Sequence, residues 1–79
     1  MKNKIKEVAK TKKITMTELG GYFGITKESM YSKIRDPKLS TIIEIAKFLD
    51  VDPLELFEPS SEYSHVYSNG EWLGIKKTI

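Results

Sequence analysis

The residues of this chain best equipped for chemistry lie between Thr26 and Lys38. Lys27, Glu28, Ser29, Tyr31, Ser32, Lys33 and Arg35 are interleaved with the apolar Met30 and Ile34 at helical spacing, so one helix would bury the two and turn the seven outward. That outer face carries ammonium, guanidinium and hydroxyl donors beside a single carboxylate. Such a set suits reversible contact with a polyanion rather than the making and breaking of bonds. The rest of the chain offers nothing catalytic. His65 is the sole histidine and there is no cysteine, so neither a thiolate site nor a paired-imidazole metal site can be assembled. There is no glycine-rich phosphate loop and no nucleophile elbow. The carboxylates of the second half sit mostly at helix starts, where the helix dipole accounts for them. The expectation is a binding protein, not an enzyme, with no cofactor and no metal.

Charge is unevenly distributed along the chain. The net charge is only +2, but residues 1–38 hold ten basic side chains against four acidic ones, while residues 39–79 hold three against seven. A positive field is therefore expected on one part of the surface, as a polyanion bound by one face requires. With 79 residues there is room for one domain. A hydrophobic fraction of 39% and a charged fraction of 30% are those of a folded globular protein. The N-terminus is dense in lysine and has no long apolar stretch, which argues against a signal peptide or a membrane span and for a cytoplasmic location.

The elements that must position the outward face can be placed from caps and periodicity. Ile5, Val8 and Ala9 mark a first helix over about Lys2 to Lys12. Thr15 with Glu18 three residues later is a capping box opening a short second helix that ends near Tyr22 or Phe23. Gly24 is placed to close it in a left-handed conformation. Thr26 caps the third helix, which runs to about Arg35 before Asp36-Pro37 stops it. Leu19, Phe23, Ile25, Met30 and Ile34 are its core and that of its neighbour, and Gly20 allows the two to approach. Ser40 is read as the cap of a fourth helix whose inner face is Leu39, Ile42, Ile43, Ala46 and Leu49, with Glu44 and Lys47 outside. Asp52, Pro53 and Glu55 start a last short helix through Phe57. Beyond Pro59 the period changes. Asn69-Gly70 is a two-residue hairpin signal, with Tyr67 expected opposite Trp72 and Val66 opposite Leu73, Ile75 sharing the latter face. The chain thus divides into a helical unit, 1–59, and a β-hairpin tail, 60–79.

From Ile5 to Phe57 the sequence resembles the phage-repressor type of helix-turn-helix domain, shared by lambdoid Cro and repressor proteins and many XRE-type regulators. The matching stretches are Ile14-Thr15-Met16-Thr17-Glu18-Leu19-Gly20, then Phe23-Gly24-Ile25-Thr26, then Leu39 to Phe57 with its Leu-Asp-Val-Asp-Pro turn. The resemblance implies a five-helix, lambda-repressor-like, all-α DNA-binding bundle followed by the short hairpin. It implies sequence-specific binding of double-stranded DNA and a repressor-like role in transcription, in a prokaryote or phage. By the same resemblance Lys27, Glu28 and Ser32 face base edges and Tyr31 reaches the groove or a phosphate. Lysine can donate to guanine O6 and N7, and glutamate can accept from cytosine N4. Thr26 and Ser29 at the helix start, Thr17 in the second helix, and Lys33, Arg35 and Lys38 are the expected phosphate contacts. Met16 stands where many members carry a phosphate-contacting glutamine.

Two half-sites a helical turn apart require two copies, so a homodimer is expected. The hairpin is the candidate dimerisation element, through its open edge or through Tyr63, Tyr67 and Trp72; the alternative is that it folds back on its own bundle. A second functional reading keeps the fold as an antitoxin-type module whose aromatic tail engages a protein partner.

Overall fold

The computed structural model describes residues 2–78. Its elements in order are α1 (Ile5–Thr11), α2 (Met16–Phe23), α3 (Lys27–Arg35), α4 (Leu39–Leu49), a 3-10 helix (Pro53–Leu56), β1 (Tyr63–Ser68) and β2 (Glu71–Lys77). The helix starts follow the expected chemistry. Thr15 accepts from the Glu18 amide while the Glu18 carboxylate takes the Thr15 amide, a complete capping box. Thr26 caps α3 by accepting from the Ser29 amide. The helix ends share one device. After α1, α2 and α4 the chain turns through a left-handed residue, Lys13, Gly24 and Asp50 respectively. In each case the next amide reaches back to a carbonyl five residues earlier: Ile14 to Ala9, Ile25 to Gly20 and Val51 to Ala46.

The expected five-helix bundle is corrected in its last helix, and with the expected hairpin present the fold is helical plus a two-stranded sheet rather than all-α. Among the described residues four segments are α-helical; the fifth is a four-residue 3-10 turn in which Glu55 donates to Asp52 and Phe57 to Leu54. Pro53 opens this segment and Pro59 follows it closely, leaving too few residues for a ladder of longer α-type bonds. The first helix also starts later than expected. The Lys4 amide donates to the Leu56 carbonyl and Asn3 pairs with Phe57 as an isolated antiparallel bridge, so Asn3 and Lys4 are held by the far end of the bundle instead of continuing the helix.

The core is Ile5, Val8 and Ala9 of α1, Met16 and Leu19 of α2, Met30 and Ile34 of α3, Ile42, Ile45, Ala46 and Leu49 of α4, and Leu56. Phe23 and Ile25 are half-buried against it. The inner face of α4 differs from the expected set. Ile42, Ile45, Ala46 and Leu49 form the buried stripe, Ile43 stands about 100° round the helix from Ile42, and both Ile43 and Leu39 are exposed. Ser40 is not the cap either; Lys38 holds that position, without a side-chain bond. On the outer side, Tyr22 of α2 donates its hydroxyl to Glu44 of α4 at 2.9 Å and packs its ring on Phe48.

β1 and β2 form an antiparallel hairpin with Tyr67 opposite Trp72, as expected. Asn69 and Gly70 both have positive φ, the geometry of the tight turn that Asn-Gly favours. Val66 faces Gly74 rather than Leu73, because a bulge between Val66 and Tyr67 leaves Leu73 as the extra residue. Gly74 takes a φ of +141°, which a side chain would disfavour. A hydrogen-bond relay ties the hairpin to the bundle. The Trp72 indole N–H donates to His65 Nδ1 and His65 Nε2 reaches the Phe57 carbonyl, both at 2.8 Å. Since indole only donates, Nδ1 is the acceptor and Nε2 carries the proton.

Candidate nucleic-acid interface

The geometry of the interface begins at Gly20. A Cβ there would lie 2.8 Å from the Ile25 carbonyl oxygen and 3.1 Å from that of Thr26. The absence of a side chain lets α2 sit directly on the turn that launches α3, which fixes the start of α3 against the bundle. Its far end is fixed by Asn3, a residue that spacing and composition do not single out. Asn3 donates its side-chain amide to the Ile34 carbonyl at 2.8 Å and accepts from the Ile5 amide. That one side chain satisfies an orphan carbonyl at the end of α3 and an orphan amide at the start of α1. A polar residue before the first apolar position is visible in the sequence; its partner, 31 positions away, is not.

Held at both ends, α3 buries Met30 and Ile34 and exposes every other residue from Lys27 to Arg35. Lys27, Glu28 and Ser32, the expected base readers, are exposed, and no hydrogen bond or ion pair engages them among the described residues. Thr26 and Ser29 are tied to each other: the Thr26 hydroxyl donates to Ser29 Oγ at 3.0 Å while accepting from the Ser29 amide. The Ser29 hydroxyl proton is left to donate outward. Tyr31 is partly exposed and lies under the Lys6 ammonium of α1, 5.3 Å from ring centre to nitrogen. Lys33 lies over the Phe23 ring at 5.5 Å, on the α2 side. Arg35, with Asn3, Lys6 and Tyr31, lines a shallow groove between α1 and α3. Thr17 and Lys38 are exposed on neighbouring elements, whereas Met16 is buried against the core and offers no polar group. The dimerisation candidates separate: Tyr63 and Tyr67 are exposed, while Trp72 is half-buried with its N–H engaged by His65.

Two short helices joined by a left-handed glycine turn, the second exposing donors and acceptors along its whole outer face, define a helix-turn-helix DNA-binding domain. Comparison with protein families agrees. Residues 4–62 match the family described as the Cro/C1-type HTH DNA-binding domain, and the chain belongs to that family. No curated protein and no solved structure matches the chain. No helix among the described residues is long and apolar enough to cross a membrane.

Proposed function

We propose that this chain is a sequence-specific regulator of transcription that binds duplex DNA as a homodimer, in the manner of a repressor. The observation that carries this reading is the free outer face of α3: the side chains of Lys27 and Glu28 at its N-terminal end, and of Ser32 one turn further on, have no partner among the described residues, on the helix that enters the major groove in this fold. A face of this kind has no internal bonds to give up on binding. In this reading Tyr31 completes the base-contacting set. Thr17, Thr26, Ser29, Lys33, Arg35 and Lys38 contact phosphates, with the Thr17 and Ser29 hydroxyls, the Thr26 backbone amide and the three cationic side chains as the donors. Residues 1–59 act as the DNA-binding unit and residues 60–79 join two copies. The exposed Tyr63, Tyr67, Leu73 and Ile75 support a joining role, since a two-stranded hairpin with this much apolar surface is marginal alone.

Selection from a random duplex library with the purified protein tests the proposal. The expected product is a half-site with defined bases, repeated as an inverted pair one helical turn apart, roughly 34–36 Å between centres. A pool that returns no enriched sequence overturns it.

A further inference from the structure

We propose that Lys6, Lys10 and Lys13 form a second DNA-backbone grip, separate from α3, that holds the phosphates flanking the segment α3 reads. The inference rests on the duplex-DNA reading above and assigns to α1 a part in it.

Five of the six lysines of residues 1–13 are sorted by the fold into two groups. Lys4 and Lys12 line a cleft toward the hairpin that also contains Glu7, Asp50, Asp52 and Glu55, so their charge is offset locally. Lys6, Lys10 and Lys13 line a different groove, of about 350 Å³, with Thr15, Met16 and Tyr31 and without a single carboxylate. None of the three makes an ion pair among the described residues. Three ammonium groups gathered beside one groove repel one another, and an anion placed among them relieves that repulsion.

The position of the groove says which anion. Lys6 lies over the Tyr31 ring, and Tyr31 belongs to α3, so the lysine strip is continuous with the edge of the α3 face. Lys6 and Lys10 lie one turn apart, about 6 Å along α1, and Lys13 follows at the left-handed turn just beyond its end, so the three can face a short run of one DNA backbone. The start of α2, on the other wall, cannot serve this purpose through its first side chains. Met16 is buried, and the Thr15 hydroxyl is committed to Glu18, accepting its amide and donating to its carboxylate. The cationic part of the backbone grip on this side of the domain therefore falls to Lys6, Lys10 and Lys13, beside the contact proposed for Thr17.

The test is the salt dependence of binding to the duplex returned by selection, measured between 50 and 200 mM salt. Each lost phosphate contact reduces the slope of log affinity against log salt by about 0.9. For a variant carrying Lys6→Gln, Lys10→Gln and Lys13→Gly the slope should fall by almost three, so the wild-type advantage should shrink about 40-fold across that range. Repeating the selection with the variant should return the same half-site. Glycine at position 13 suits the positive φ already present there, and an unchanged or raised melting temperature verifies the fold. Lys10→Gln alone, at an exposed helix position, should lower the slope by about one. An unchanged slope in a wild type that binds overturns the grip alone, and an altered half-site shows that these lysines read bases instead. A wild type without duplex binding overturns the grip and the proposed function together.

Discussion

Lys27 and Lys38 carry the same charge on neighbouring surfaces, yet the proposed interface gives them opposite duties. Lys27 starts the free face of α3, so Lys27→Ala should cost about 1–3 kcal/mol on the selected site and relax the preference at one base position. Lys38→Ala should weaken every sequence alike and lower the salt slope by about one. Binding titrations on selected and scrambled duplexes separate the two; equal losses on both duplexes for Lys27→Ala would place that residue on the backbone. Away from the interface, Tyr22 and Glu44 form a surface pair whose titration is informative. The Tyr22 hydroxyl bond, then Lys47, holds the Glu44 carboxyl below the ordinary carboxylate range, and the bond to Glu44 holds the Tyr22 phenol above its own. A depressed carboxyl stabilises the fold above its unfolded value and ceases to do so as pH falls through its folded value. Tyr22→Phe should move the Glu44 titration upward in an NMR experiment, and the stability difference between wild type and variant should narrow under acid.

Elements are set here by backbone demands at single positions, and two adjacent glycines show how differently the same substitution can act. A Cβ at Gly21 would meet nothing within 4 Å, so Gly21→Ala should stabilise α2 by about 0.5–1 kcal/mol through helix propensity. Gly20→Ala gains the same propensity but drives a methyl to 2.8 Å from a backbone oxygen that cannot swing aside. Overpacking of that kind costs about 1–3 kcal/mol, so the net effect should be destabilising. Thermal melts of the two variants should shift in opposite directions; a shared direction would mean that the α2 to α3 turn yields to the added methyl. The hairpin depends on its relay in the same way. Trp72→Phe keeps the aromatic bulk but strands His65 Nδ1, and should cost about 1 kcal/mol. Because the loss is local, hydrogen exchange should quicken in β1 and β2 while the core helices keep their protection.

The molecule as a whole is elongated, 41 × 26 × 17 Å. Its hairpin is anchored to the bundle by packing of β2 on the 3-10 helix and by the bond of His65 to the Phe57 carbonyl. In the proposed dimer the outer residues of the hairpin face a second copy. Tyr67→Ser combined with Leu73→Ser should then shift the protein from dimer to monomer in sedimentation. Because two half-sites would no longer be gripped together, affinity for the inverted repeat should fall far more than affinity for a single half-site. A variant that stays dimeric would exclude the hairpin face as the joint.

Much of this architecture was legible from local signals. The capping box at Thr15 and Glu18, the Thr26 cap, the Gly24 turn and the Asn69-Gly70 turn are each decided by a few adjacent residues, and the structure has all four. The limits of α3 and its buried pair, Met30 and Ile34, follow from periodicity for the same reason. Two of the departures had nonlocal causes. Ile43 has the side chain of a core residue but lies outside the stripe that the neighbouring helices cover. The first helix begins late because Asn3 and Lys4 find partners at Phe57 and Leu56, some fifty residues on. Sequence alone thus determined that the chain is a helix-turn-helix with a basic first half and a free face on its third helix. Only the tertiary structure decided how that helix is held, through Asn3 and the bare backbone at Gly20, and which lysines in and beside α1 share a cleft with carboxylates and which do not. Hydrogen bonds and charge neighbourhoods between distant segments depend on where the chain returns, and spacing along it does not record that.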